Sequence, residues 1–241
     1  MEYSIQPFHD HAIYISYGED IREDYLHYSQ TIIAELDRNQ PIGYVEAIPG
    51  YNNLTIFYDP IKIAEEYKTT QMQQTFINTI ESMLKNIGEI KATERDVVAI
   101  PVCYDEEYGP DLTYVAKFHN LSIEKVIELH SETIYTVHML GFAPGFPFLG
   151  GMDQRIATPR KTTPAPAIPA GSVGIAGIQT GVYPIETPGG WQIIGRTPLS
   201  LFQPHMHPPS LLIAGDKLKF YPITKEEFME LEGKKYDYIT Q

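Results

Sequence analysis

From Ala12 to Tyr17 apolar and polar side chains alternate with the period of two that a half-buried strand requires. The period then lengthens: Ile21, Tyr25, Tyr28, Ile32 and Leu36 fall on one face of a helix, and Asp20 stands ahead of them as a candidate N-cap. Two more extended runs, Tyr44 to Ile48 and Leu54 to Tyr58, flank the turn-forming stretch Pro49-Gly50-Tyr51-Asn52-Asn53 and predict a hairpin. Asp59-Pro60 has the cap-then-proline order of a helix start. Ile63, Tyr67, Phe76, Ile80, Met83 and Ile87 supply the apolar face of that second helix and Gly88 its stop. Helices packed on such strands make a small α/β domain, expected over residues 1–92.

After the polar stretch Lys91 to Arg95 the pattern changes. Val97 to Cys103 and Thr133 to Leu140 read as strands, with short helices between them at Asp111 to Phe118 and Ser122 to Leu129. Residues 141 to 210 hold 11 of the 18 glycines and 12 of the 19 prolines, which excludes long helices there. Further strands are expected at Val173 to Ala176, Gln192 to Gly195, Leu211 to Ile213 and Lys217 to Tyr221. A small barrel or sandwich over residues 93–241 accommodates them, and the fold class is α+β.

Composition narrows the functional classes. The 241 residues carry a net charge of -13, with 31 acidic against 18 basic side chains, so a nucleic-acid backbone is repelled overall. No run approaches the roughly 20 apolar residues of a membrane span, and the N-terminus lacks signal-peptide character, so a cytoplasmic protein is expected. Cys103, the single cysteine, excludes an internal disulfide and reads as strand packing.

Three segments carry candidate chemistry. His138 to Asp153 leads a strand into a loop of glycine, proline and phenylalanine, rigid and apolar enough to wall a ligand pocket. His138 is placed there as a proton donor or acceptor and Asp153 as a carboxylate, although a hydrogen-bonded structural histidine and a turn-capping aspartate suit the same spacing. Thr158 to Pro184 presents Arg160 and Lys161 on a proline-stiffened arm, followed by glycines that let backbone N–H groups approach an anion. Tyr183 to Thr197 holds Trp191, the only tryptophan, after a Gly-Gly turn; Arg196 points either to solvent or into the cleft of Arg160. His205 and His207 alternate like ligands on a strand, but Pro204, Pro208 and Pro209 make the segment a loop, and no metal site is expected. The sequence holds no Gly-x-Ser-x-Gly elbow and no phosphate-binding glycine motif, which leaves acid–base and electrostatic roles.

Gly141 to Gly150 (GFAPGFPFLG), Pro169 to Pro184 (PAGSVGIAGIQTGVYP) and Pro188 to Thr197 (PGGWQIIGRT), taken in that order, resemble the KipI, or allophanate hydrolase subunit 1, family. The resemblance spans the whole chain and includes Tyr3 to Pro7 with Asp10-His11. It implies a small N-terminal α/β domain followed by a cyclophilin-like β-barrel. Members of this family occur as the B subunit of 5-oxoprolinase, which with A and C subunits opens the lactam of 5-oxoproline to glutamate using ATP with Mg. Other members belong to urea carboxylase or inhibit a sporulation histidine kinase. By matching motif positions the resemblance places His138, Asp153, Arg160, Lys161, Gln179, Tyr183, Trp191 and Arg196 around one small-molecule cleft, with His138 as proton carrier and the cations as anion grips. Thr163-Pro164 is followed by Ala165, where the family pattern carries a second basic residue.

Overall fold

A computed structural model describes residues 1–20, 22–87 and 96–232. The chain divides into two compact units, Met1–Glu94 and Arg95–Gln241. The expected boundary at residues 92/93 and the Gly88 stop lie outside the described residues. Among these residues no helix is long and apolar enough to cross a membrane.

In the first unit β1 (Ser4–Pro7), β2 (Ala12–Ser16), β3 (Tyr44–Pro49) and β4 (Asn53–Tyr58) form an antiparallel sheet in the order β1-β2-β4-β3. Its buried face, led by Ile13, Ile15, Leu54 and Ile56, packs with Tyr28, Ile32 and Leu36 of α1 (Glu23–Asn39). The helix starts later than the sequence predicts. Arg22 rather than Asp20 occupies the N-cap, with extended backbone and no side-chain cap. The expected second helix is two, α2 (Pro60–Tyr67) and α3 (Met72–Leu84). The Asp59 carboxylate accepts from the Ile61 and Lys62 N–H groups, as the cap-then-proline order predicts. Lys68 then takes a left-handed conformation, φ 50°, which ends α2 and lets Phe76 and Ile80 of α3 reach the core.

The second unit is a closed barrel of seven strands. They are β5 (Val97–Cys103), β6 (Ile134–Leu140), β7 (Pro147–Gly150), β9 (Ser172–Ala176), β10 (Gln179–Val182), β12 (Gln192–Arg196) and β13 (Lys217–Ile223), in the order β10-β7-β6-β13-β5-β12-β9. Two strands outside it, β8 (Ala165–Ile168) and β11 (Thr187–Gly189), pair as a separate ribbon. α4 (Leu112–Phe118), α5 (Ile123–Glu132) and α6 (Lys225–Leu231) complete the unit. Leu211 to Ile213 is not a strand: Leu211 donates to the Leu201 carbonyl, and the Asp216 carboxylate takes the Ile213 N–H. Side-chain capping replaces a ladder there.

The barrel interior is filled by Ile100, Val102, Tyr135, Val137, Leu149, Val173, Ile175, Val182, Ile194 and Leu218. One polar chain crosses this core. The Tyr104 hydroxyl lies 2.7 Å from His130 Nδ1, and His130 Nε2 lies 3.0 Å from Thr180 Oγ1, which donates to the Gly174 carbonyl at 2.9 Å. Because the Thr180 proton is committed to Gly174, its oxygen must accept. His130 is therefore the neutral tautomer protonated on Nε2, with Nδ1 accepting from Tyr104. Burial without any compensating charge lowers its pKa to about 3.

Candidate functional site

A pocket of about 260 Å³ opens beside the ribbon and is lined by Phe142, Phe146, Phe148, Arg160, Tyr183 and Trp191, with Pro164, Pro188, Gly189 and Gly190. Local sequence explains the wall. In Ala143-Pro144-Gly145-Phe146 the Phe146 N–H donates to the Ala143 carbonyl, with proline second and Gly145 third at φ +78°, the requirements of a type II turn. That turn delivers Phe146 to the head of β7. Phe148, two residues on, takes the same side of the strand. Their rings meet at 4.8 Å, and Trp191 stands edge-on to Phe146 at 5.3 Å.

Tyr183 closes the floor at 1% exposure. Burial pushes its pKa up to about 12, opposed by the Trp191 backbone N–H on its hydroxyl and by the nearby Arg160 charge. It is a neutral phenol throughout the physiological range. Gly189 lets this floor close up, since a Cβ there would lie 2.4 Å from the Tyr183 hydroxyl and 2.8 Å from Ile168 Cδ1 and both side chains would have to shift.

Arg160 supplies the only formal charge in the lining. Its guanidinium carbon stands 5.9 Å from the Trp191 ring centroid, a cation–π placement that holds the fork at the pocket rim. Among the described residues no carboxylate forms an ion pair with it. The neighbouring Lys161 is engaged elsewhere: its Nζ lies 2.6 Å from Asp111 Oδ2, which also accepts the Ile193 N–H at 2.7 Å. The Lys161 N–H donates to the Gly190 carbonyl at 2.7 Å. Asp111 thus ties the arm that carries Arg160 to the strand that follows Trp191.

Of the eight residues expected around one cleft, the structure brings Arg160, Tyr183 and Trp191 together and distributes the others. Asp153 caps the 3-10 turn Gln154–Ile156, and Arg155 grips its carboxylate at 2.6 Å and lowers its pKa to about 2. His138 lies at the β6–β7 bulge, 5% exposed, with its ring against Gly150, where a Cβ would come within 2.2 Å of Nε2. Four consecutive residues, Tyr135 to His138, are buried, and the register shifts between Val137 and Met139, so strict alternation does not describe this strand. Gln179 opens β10 opposite Ala176. Arg196 does not join Arg160, because its Nε donates to the Ala170 carbonyl at 2.8 Å. Sequence reasoning missed Phe142, Phe146 and Phe148 as individual lining residues and Asp111 as the anchor of the Arg160 arm. The spacing of Phe146 and Phe148 was the available signal.

Comparison with known proteins places this geometry in a family. Residues 3–212 match the model described as carboxyltransferase domain, subdomain C and D. The B subunit of 5-oxoprolinase from Bacillus subtilis is 47% identical over 230 residues, covering 95% of this chain and 96% of that protein. The crystal structure of TTHA0988 is 35% identical with a TM-score of 0.76 and covers 88% of this chain, which spans only 40% of the length of that protein. The urea amidolyase of K. lactis, 21% identical with a TM-score of 0.75 over 95% of this chain and 15% of its own, shares the fold. The family resemblance read from the three motifs agrees with these matches.

Proposed function

This chain belongs to the family of carboxyltransferase domains, subdomain C and D, and on that premise we propose that it is the B subunit of a 5-oxoprolinase. In this reading it works with A and C subunits to convert 5-oxoproline to glutamate using ATP, and the aromatic pocket holds the substrate. The observation that carries the assignment is the Arg160 guanidinium, poised over Trp191 at the rim of an otherwise apolar pocket.

The substrate is a flat five-membered lactam with one carboxylate. A guanidinium fork takes a carboxylate through two parallel hydrogen bonds, and aromatic faces take the ring. Phe148 and Trp191 supply those faces, and the Tyr183 hydroxyl remains a neutral hydrogen-bonding group at the floor. Opening the lactam breaks the ring C–N bond and adds the elements of water. Amide resonance makes the carbonyl carbon a poor electrophile and the ring nitrogen a poor leaving group until the carbonyl oxygen is activated, the task for which the complex uses ATP. This chain's residues bind and orient. Among the described residues no group of three His, Cys, Asp or Glu is placed to hold a metal ion, and the pocket lining contains no carboxylate. No step is therefore assigned to Mg–ATP on this chain.

The test is glutamate release from 5-oxoproline and ATP by this chain mixed with its cognate A and C subunits, against mixtures lacking it. Turnover only in the complete mixture is expected. Equal turnover without this chain would overturn the assignment.

A further inference from the structure

Among the described residues Phe142 is the most exposed large apolar one, 68% accessible, and it is also backbone-strained. Its φ is +66°, and the Ala143 N–H donates to the Gly141 carbonyl at 2.7 Å across it. An i to i+2 closure around a residue of positive φ is the rare, strained form of the γ-turn. A bulky aromatic pays a steric penalty there that glycine would escape. Two restraints hold the strain in place: the Gly141 N–H donates to the Phe146 carbonyl at 3.1 Å, and the type II turn at Ala143-Pro144-Gly145-Phe146 follows directly. Strain of this kind persists where the position of a side chain matters to function.

The direction of the ring shows what that function is. Phe142 lines the pocket and stands edge-on to Phe146, ring centroids 5.7 Å apart and planes at 82°. It therefore belongs to the pocket rim, in the same lining as Arg160 and Trp191. We infer that Phe142 is a specificity-determining clamp, whose ring covers the exposed face of a small cyclic carboxylate held by Arg160. A ligand anchored at Arg160 alone would keep one ring face in water, and contact with Phe142 would remove it. The clamp would favour flat five- or six-membered rings over open-chain carboxylates, including the glutamate product, whose flexible chain and second charge suit an aromatic cover poorly. This inference rests on the pocket being the lactam site.

Phe142→Gly and Phe142→Leu separate the clamp from a structural role. Glycine relieves the γ-turn, so the Gly variant is expected to unfold at the same or a higher temperature than the parent. In the reconstituted complex its KM for 5-oxoproline should rise about tenfold or more while kcat stays within about threefold, as loss of uniform binding requires. Leucine should restore most of the affinity. Trp191 emission, titrated with 5-oxoproline in the full chain, should show the same weakening of Kd without any turnover. An unchanged KM and Kd in Phe142→Gly would overturn the clamp, as would a defect seen only as a higher C-subunit concentration for half-maximal activity. Failure of the complete parental mixture to make glutamate would instead overturn the 5-oxoprolinase reading, and the emission titration with cyclic against open-chain carboxylates would then decide the clamp independently.

Discussion

Replacing His130 with glutamine should flatten the pH dependence of barrel stability. The folded imidazole is fully buried and hydrogen-bonded as a neutral ring, with Phe220 stacked on it at 4.7 Å and Tyr135 beside it at 5.6 Å. In the unfolded chain it titrates near pH 6.5; in the fold its pKa is about 3. Stability is therefore complete above about pH 6.5 and is lost progressively as the pH falls toward 3, because only the unfolded chain accepts the proton in that window. Linkage at about 1.4 kcal/mol per pH unit gives a loss of about 2 kcal/mol by pH 5 and about 4–5 kcal/mol by pH 3, large against a typical stability of about 5–15 kcal/mol. Glutamine keeps a donor for Thr180 and does not titrate, but it loses the ring stack and serves Tyr104 less well, at an expected cost of about 1–3 kcal/mol at pH 7.5. The measurement is reversible guanidinium unfolding followed by the emission of Trp191, which, as the only tryptophan, reports the barrel unit alone. The parent should lead the variant at pH 7.5, and that lead should shrink by about 2 kcal/mol at pH 5, a window above most carboxylate titration. A gap that stays constant from pH 7.5 to 5 would refute the neutral, protein-locked imidazole.

Three further outcomes follow from the site. Arg160→Ala should abolish turnover of the reconstituted complex while leaving the unfolding curve and the association with the other subunits intact, and Arg160→Lys should raise KM about tenfold or more because a point charge cannot replace the fork; unchanged turnover in Arg160→Ala would remove the residue from the site. Gly189→Ala should lower barrel stability by about 1–3 kcal/mol, since the Tyr183 hydroxyl and Ile168 must both move, and a shifted Trp191 emission maximum would register the displaced floor. Asp111→Ala should cost about 2 kcal/mol by releasing the Ile193 N–H and Lys161 together, with a weaker 5-oxoproline titration as the arm of Arg160 loosens.

What could be read from the sequence was whatever neighbours along the chain decide. Asp59-Pro60 announces its own helix because cap and proline act within one turn, and Ala143-Pro144-Gly145 dictates its type II turn in the same way. The break after Tyr67 was passed over: Lys68 takes the left-handed conformation without being glycine, and the polar run Lys68 to Gln71, which leaves the apolar face empty between Tyr67 and Phe76, was the available signal. The surroundings of His138 were out of reach for a related reason. Its position in the ladder is set by a bulge, which depends on the partner strand. The pocket is legible only in part, because Phe146, Arg160 and Trp191 converge from three segments. Arginine chemistry singled out Arg160 and Arg196 equally, and only the fold separates a rim guanidinium from one bonded to the Ala170 carbonyl.

The division of apolar residues within the second unit determines where binding can occur. The barrel interior is packed with apolar side chains around the His130 chain, and the aromatic pocket opens beside the ribbon instead. Phe146, Ile168, Ala176, Tyr183, Trp191 and Ile193 form a separate cluster. That cluster is built on the barrel's own strands, with Ala176 on β9 and Ile193 on β12, and the arm beside it is held by hydrogen bonds: the Lys161 N–H to the Gly190 carbonyl, Gln192 to the Pro159 carbonyl, and the Ile193 N–H to Asp111. Changes at the exposed rim, Phe142 and Arg160, should therefore alter affinity with little effect on the main unfolding transition, whereas changes to the floor at Gly189 or to the barrel core should lower stability. The arrangement lets the wall hold a strained Phe142 and a rim arginine with no carboxylate partner among the described residues, because the fold's stability rests on a core that neither of them touches.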